Sequence, residues 1–195
     1  MRLGILALIL SLCSPIAASA SEIGAQLAFP IAAGDVGDHE RGIQAGFTGT
    51  WFDETRSGIG LDVAYHYWPV SAGFKAGFES QLYGLLEIGD PNWNISALQT
   101  TAHIKAVAPF RGAARPWLQI GAGGYRVDPM LELMGQRLDA KWEAGANVAL
   151  GFDYDANPRL RLGLDVSYHS VWMEHDVGAY FNAFEMGMHL LFGRP

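Results

Sequence analysis

The stretch of sequence that decides the fold is Leu-Arg-Leu-Gly-Leu-Asp-Val-Ser-Tyr-His at residues 160–169. Large side chains occupy every even position, whereas the odd positions hold arginine, glycine, aspartate, serine and histidine. Successive side chains of a strand point to opposite sides, so a period of two indicates a β-strand whose two faces meet different surroundings. We therefore predict a strand with one apolar face and one face rich in ionisable groups.

The same alternation recurs along most of the chain and predicts eight strands. Their alternating runs begin at Ile23, Ile43, Ile59, Leu98, Trp117, Trp142, Leu160 and Phe184. Short connections at 53–57, 109–113 and 155–158 alternate with longer ones at 31–41, 69–94, 128–139 and 173–179. This alternation is typical of an up-and-down antiparallel barrel.

The connection at 69–94 is too long to be featureless. It contains Phe74, Phe78, Leu82 and Leu85, which fit either a short helix or an extension of the flanking hairpin. These two alternatives stay open at the level of the sequence.

The composition excludes several classes of protein. Of the 195 residues, 50% are hydrophobic and 17% are charged, compared with about 25% charged in an average soluble domain. The 24 glycines disfavour a helical bundle. A net charge of -7 disfavours binding to nucleic acid through phosphate contacts, and a single cysteine, Cys13, excludes a disulfide framework or a cysteine zinc site.

The N-terminus has the organisation of a secretory signal peptide. Arg2 precedes an apolar run at 3–12, and Ala18-Ser19-Ala20 forms a small-residue cleavage site. The apolar run is shorter than the roughly 20 residues that a membrane-spanning helix needs. We predict cleavage after Ala20 and a single exported domain at 21–195.

The polar faces of the strands carry many ionisable groups, which we interpret as the lining of a narrow barrel lumen. A soluble barrel that holds an apolar ligand would place its apolar face inward instead. Charges that pair with one another inside a lumen compensate the cost of leaving water. The predicted lumen network consists of Asp62, His66, His103, Lys105, Glu143, Asp153, Arg159, Arg161, Asp165, His169, Glu185 and His189.

Aromatic residues concentrate near the two ends of the predicted strands. Two aromatic girdles that flank an aliphatic band are expected of a barrel that crosses a membrane, where closure also satisfies every backbone amide. Trp68 and Tyr125 are assigned to the girdle at the long-connection end. The other predicted membrane-interface aromatics are Trp51, Tyr67, Trp117, Trp142, Tyr154, Tyr168, Trp172 and Phe192.

Three segments, at 23–30, 114–127 and 184–192, resemble the outer-membrane protein β-barrel domain family, which includes small barrels similar to outer-membrane protein A and to the OmpW type. The resemblance implies an eight-stranded transmembrane barrel in the outer membrane of a Gram-negative-type bacterium. It also implies a monomer that contacts outer-membrane lipid, lipopolysaccharide and the barrel-assembly machinery. The family usually ends on an aromatic residue, whereas Gly193-Arg194-Pro195 follow Phe192 here.

The preferred interpretation of function is a non-enzymatic barrel with a structural, envelope-integrity or surface-interaction role, because eight strands leave an interior that side chains fill. One alternative is OmpW-like binding or uptake of small hydrophobic molecules through a lateral opening. It is motivated by Phe74, Phe78, Tyr83 and Trp93 in the longest connection.

A second alternative is a hydrolase that resembles the lipid A 3-O-deacylase, with Tyr168-His169-Ser170 and Glu185. In that family one residue separates the histidine from the serine, so that both share a strand face. His169 and Ser170 are adjacent and are therefore expected on opposite faces, which disfavours a nucleophilic site.

We predict neither a metal nor a cofactor. The lumen histidines lie on different strands and at different heights, whereas zinc needs several ligands that converge on one point. The glycine-rich segment 121–124 continues into a strand and not into the helix of a nucleotide-binding loop. Glu174-His175-Asp176 is interpreted as a solvated loop cluster. Asp153 is expected to pair with Arg159 or Arg161, because a tight turn brings these positions together.

Overall fold

The computed structural model describes residues 22–34, 42–53, 56–69, 94–109, 112–128, 132–133, 136–137, 139–172 and 180–193. The predicted signal peptide at 1–20, residues 70–93 of the longest connection and the cluster at 174–176 lie outside the described residues. In the described part of the chain, no helix is long and apolar enough to cross a membrane.

Eight long strands form a closed antiparallel barrel, as the alternation predicts. They are β1 (Glu22–Gly34), β2 (Ile43–Phe52), β3 (Ser57–Trp68), β4 (Ile95–Val107), β5 (Ala114–Asp128), β8 (Lys141–Asn157), β9 (Leu160–Trp172) and β10 (Tyr180–Gly193). Each of these strands pairs with the next one in sequence, and β10 pairs with β1 to close the wall.

Two further strands, β6 (Glu132–Leu133) and β7 (Gln136–Arg137), pair with each other between β5 and β8. The sequence predicts only a loop at 128–139, so this small hairpin is an addition to the predicted fold. Strands of two residues are too short to display a period of two, and the pattern therefore gives no sign of them.

The register of the strands fixes the shape of the barrel. Following paired residues once around the wall from Glu22 leads back to the first strand at Ala32, ten residues further along. An offset of this kind tilts the strands relative to the barrel axis, and eight tilted strands enclose a space that side chains can fill.

The outer wall is apolar on all eight strands. Leu164 and Met186, both 66% exposed, lie near the middle of this surface. Its exposed large side chains are Phe29, Ile31, Ile43, Phe47, Ile59, Tyr65, Ile104, Leu118, Ile120, Trp142, Val148, Leu150, Phe152, Tyr154, Leu162, Leu164, Val166, Trp172, Phe184, Met186, Met188, Leu190 and Phe192. A soluble monomer rarely exposes so large an apolar surface, whereas the hydrocarbon of a membrane would cover it.

Three aromatic residues assigned to the membrane interface point into the lumen instead. Trp117 is 7% exposed, and Trp68 and Tyr125 are almost fully buried. The prediction was wrong because it relied on distance from the strand end, whereas the face of a side chain is set by its parity along the strand. In β5 the odd positions face inward, so that Leu118 and Ile120 face outward.

The other predicted interface aromatics lie on the outer wall. Trp142, Tyr154, Trp172 and Phe192 are exposed, and Trp51, Tyr67 and Tyr168 are half-buried. The Tyr168 and Phe184 rings contact each other, with their centroids 4.8 Å apart.

A charge placed in the middle of the outer wall tests whether this surface faces hydrocarbon. Val166 is 51% exposed and pairs with Leu150 on one side and Met186 on the other. We expect Val166→Arg to lower the free energy of unfolding by about 2–4 kcal/mol, measured by denaturation of the protein folded in phospholipid vesicles. The control Ala156→Arg, at the exposed end of β8, should cost about 0–1 kcal/mol. Equal losses in the two variants would contradict this expectation.

Candidate functional site in the barrel lumen

The inward faces of the strands bring most of the predicted ionisable residues together. Asp62, His66, His103, Lys105, Asp153, Arg161, His169, Glu185 and His189 are buried. Asp165 and Glu143 are half-buried, with Glu143 on the inward face at the long-connection end of β8. Glu22, which the sequence interpretation omitted, is a further buried carboxylate at the start of β1.

Arg159 does not belong to this network, and its assignment to the lumen was wrong. It lies in the turn between β8 and β9, is exposed, and its backbone N–H donates to the Asn157 side chain over 2.9 Å. The alternation fails here because the register shifts between Asp155 and Asn157. The alternation continued from Arg161 therefore places Arg159 in the lumen, whereas the turn directs it towards solvent.

The centre of the network at the short-turn end is Asp153, whose side chain is 0% exposed. The Trp117 indole Nε1 donates to Asp153 Oδ1 over 2.7 Å, and His189 Nε2 lies 2.7 Å from the same oxygen. Lys105 Nζ donates to Oδ2 over 3.3 Å and lies 4.5 Å from the centroid of the Trp117 ring. Groups from three strands, β4, β5 and β10, thus contact one buried carboxylate on β8.

The predicted pairing of Asp153 with Arg161 is present as a long contact. Arg161 Nη1 lies 3.8 Å from Asp153 Oδ2, whereas Nη2 contacts the Glu22 carboxylate more closely. The sequence could place Arg161 near Asp153 because β8 and β9 are joined by a tight turn. The closer partners Lys105 and His189 come from β4 and β10, and reach Asp153 across the lumen.

His189 links Asp153 to a second carboxylate. Its Nε2 faces Asp153 and its Nδ1 lies 2.9 Å from Asp165 Oδ2. A histidine whose two ring nitrogens both donate to carboxylates is a cation. The ring thus lies between two acidic groups, and in its protonated form it can donate to both of them.

A second cluster surrounds Glu185 towards the long-connection end. His66 Nδ1 lies 2.8 Å from Glu185 Oε1, and His169 Nε2 lies 3.3 Å from Oε2. The other nitrogen of His66, Nε2, lies 2.7 Å from Gln99 Oε1, and the His66 ring stacks on Trp68 with 5.3 Å between ring centroids. The buried aromatic surface fixes the orientation of the histidine that holds the carboxylate.

A third group forms around Asp62. His103 Nδ1 and Gln119 Nε2 both lie 2.9 Å from Asp62 Oδ2. The other ring nitrogen of His103 lies 3.0 Å from Thr50 Oγ1. Because β3 and β4 are neighbouring strands, a contact between Asp62 and His103 is expected from the sequence.

A polar cavity of about 50 Å³ lies among these clusters. Asp62, Asn147, Ser167 and Glu185 are among the residues that line it. One water molecule needs roughly 10–15 Å³ of such space, so the cavity has room for a few. Asn147 Oδ1 is buried and accepts no hydrogen bond from the described residues, and water in the cavity would supply one.

The structure brings Ser167 together with His169 and Glu185, whereas the sequence interpretation had considered Ser170 with these two residues and missed Ser167. Ser167 Oγ lies 3.2 Å from His169 Nε2, but the same nitrogen faces Glu185, and His169 Nδ1 lies 3.1 Å from the Tyr125 hydroxyl. A catalytic triad needs the serine on one ring nitrogen and the carboxylate on the other. These three residues therefore form a hydrogen-bond cluster without triad geometry. Their shared parity, with one residue between Ser167 and His169, was the signal that could have found them.

Within the described residues, no group of three or more histidine, cysteine, aspartate or glutamate side chains has an arrangement that could hold a metal ion.

Comparisons with known proteins define the class of fold. No protein-family model matches the chain, and no curated sequence matches it. Neisserial surface protein A is similar in structure, with a TM-score of 0.61, 13% identity, and coverage of 88% of this chain and 96% of that protein. The attachment invasion locus protein Ail of Yersinia pestis, in complex with the heparin analogue sucrose octasulfate, gives a TM-score of 0.50, 12% identity, and coverage of 88% and 97%. The chain thus has the fold of the small eight-stranded outer-membrane β-barrels.

The contacts of Asp153 generate a prediction about stability. We expect Asp153→Ala to lower the free energy of unfolding by about 3–5 kcal/mol, because three buried donors lose their acceptor. In double-mutant cycles measured by chemical denaturation, the coupling energy of Asp153 with His189 should be about 1–3 kcal/mol. The coupling energy with Arg161, whose contact is longer, should be smaller. A stronger coupling with Arg161 would show that the adjacent-strand pair dominates instead.

Proposed function

We propose that this protein is a non-enzymatic outer-membrane barrel whose lumen is sealed by its own side chains. In this proposal the barrel is a membrane-embedded scaffold with a structural, envelope-integrity or surface-interaction role. The observation that carries the proposal is the hydrogen-bonded network of buried side chains across the lumen, among which lies a cavity of about 50 Å³.

The energetics of the network support a closed lumen. A solute that passed through the barrel would have to separate Asp153 from Lys105 and His189, and Glu185 from His66. Removing one partner from a buried ion pair costs roughly 3–5 kcal/mol. Several such contacts would have to break together, which favours a barrel that does not conduct.

The arrangement of the connections supports a role for one end of the barrel. Connections of two to six residues, at 53–56, 108–113 and 158–159, join strands at one end. At the opposite end the strands are joined through 35–42, 69–94, 129–140 and 173–179. In outer-membrane barrels the longer loops face the cell exterior, so the long connections are the part that would make surface interactions.

The continuity of the wall disfavours the alternative of lateral uptake. β1 and β10 are paired from Glu22–Gly193 to Gly34–Phe181, which closes the wall along the whole of β1. Residues 70–93, which motivate that alternative, lie outside the described residues. The hydrolase alternative is disfavoured by the contacts of His169, which place Ser167 and Glu185 on the same ring nitrogen.

The proposal includes a location and partners. The apolar outer wall and the fold shared with two bacterial outer-membrane proteins support the outer membrane of a Gram-negative-type bacterium. Export by a cleaved signal peptide at 1–20, a monomeric state, and contact with outer-membrane lipid, lipopolysaccharide and the barrel-assembly machinery complete the proposal.

Reconstitution tests the sealed lumen. The protein is folded into phospholipid vesicles, and insertion is checked by the difference in electrophoretic mobility between unheated and boiled samples. We expect no swelling of the vesicles in small sugars or amino acids and no conductance steps in planar bilayers, because the lumen network must stay intact. A sixteen-stranded porin in the same vesicles is the positive control.

Two results would contradict the proposal. Swelling or stepwise conductance by the inserted barrel would show that the lumen opens. Saturable binding of an apolar compound by the inserted barrel would instead favour the uptake alternative.

A further inference from the structure

An arginine lies in the apolar outer wall near the long-connection end of the barrel. Arg126 is two residues before the end of β5, is exposed, and shares its face with Leu118 and Ile120. Its direct neighbours on the two flanking strands are Leu98 and Trp142, which face the same side. The guanidinium therefore projects from a surface that is otherwise suited to hydrocarbon.

The charge of Arg126 needs a partner. Among the residues that the structure describes, no carboxylate forms an ion pair with it. An arginine on the lipid face costs about 2–4 kcal/mol at the membrane midplane, and about 0–1 kcal/mol near the interface. Its long side chain can keep the guanidinium at the level of the headgroups while its stem lies along apolar surface.

The Trp142 ring lies next to Arg126, on the side nearer to the middle of the membrane. A Cβ atom added at Gly124 would lie 3.1 Å from Cε3 and 3.2 Å from Cζ3 of the Trp142 ring, so the indole lies over Gly124. Gly124 is two residues nearer to the middle of β5 than Arg126. The ring therefore covers the wall on the midplane side of the arginine, where the acyl chain of a lipid would pack while its headgroup reaches the guanidinium.

We propose that Arg126 and Trp142 form a binding site for the phosphate group of a membrane lipid. The planar guanidinium can donate two parallel hydrogen bonds to phosphate oxygens, which a lysine cannot do. This inference rests on the proposed function, because it requires the wall to lie in a membrane. In the proposed orientation the site is in the outer leaflet, where the phosphate belongs to the lipid A part of lipopolysaccharide or to a glycerophospholipid.

The test is titration of the full-length barrel in detergent with lipid A, followed by native mass spectrometry of the protein–lipid complexes. We expect Arg126→Gln to weaken binding of lipid A by about tenfold, and Arg126→Lys to recover part of the loss. Arg159→Gln is the matched control, since Arg159 is an exposed arginine in a turn at the opposite end. It removes the same charge and should leave binding unchanged.

Two further lipids identify the chemistry and its source. We expect the unmodified protein to bind lipid A without its phosphates weakly. Its affinity for that lipid should equal the affinity of Arg126→Gln for intact lipid A. Competition by phosphatidylglycerol at equal concentration would support a general phosphate site, and the absence of competition would support one for lipid A.

Three results would overturn the site. The first is equal affinity of Arg126→Gln and the unmodified protein for lipid A, and the second is equal affinity of the unmodified protein for lipid A with and without phosphate. The third is a loss of affinity in Arg159→Gln as large as that in Arg126→Gln. Each variant is also checked for the change in electrophoretic mobility on boiling. If the unmodified protein itself lacks that change, the proposed membrane barrel fails, and not the lipid site alone.

Discussion

The buried carboxylate of Asp153 is the constraint on which the rest of the barrel depends. It has no contact with solvent, so its charge is tolerable only while Trp117, His189 and Lys105 surround it. These donors come from β5, β10 and β4, and the carboxylate itself comes from β8. The contacts are satisfied together only when the wall is closed, so that closure and burial of charge depend on each other.

The same constraint explains why histidine is so frequent in the lumen. Among the described residues, four buried carboxylates outnumber the two buried permanent cations Lys105 and Arg161, and each lumen histidine contacts at least one carboxylate. A histidine can donate from both ring nitrogens and become a cation, which a glutamine cannot do. The exterior has the opposite character, because closure pairs the backbone groups of the strands and most of the exposed side chains are apolar. Arg126 departs from this rule at the edge of the wall, where we infer that lipid phosphate replaces water.

The fold was predictable from the sequence because the period of two is imposed locally, by backbone geometry and by the two different environments of the wall. Leu160–His169 shows both faces without any knowledge of neighbours. Three kinds of feature depart from the prediction. Trp117 faces inward because parity, and not its position near the strand end, sets its face, and Arg159 leaves the inward face because a register shift lies between Asp155 and Asn157. The partners of Asp153 and Glu185 were missed because they meet across the lumen, and only the register of the closed barrel sets those distances.

The most direct test of this account uses two adjacent leucines. Leu190 is 42% exposed on the outer wall, whereas Leu191 is 2% exposed and faces the lumen. In the barrel reconstituted in phospholipid nanodiscs with methyl-labelled leucine, nuclear Overhauser effects from lipid acyl chains should reach the Leu190 methyl groups and not those of Leu191. Two results would contradict an apolar wall in the membrane around a charged, sealed interior. One is acyl-chain contacts at Leu191 without contacts at Leu190, and the other is the absence of acyl-chain contacts at both residues.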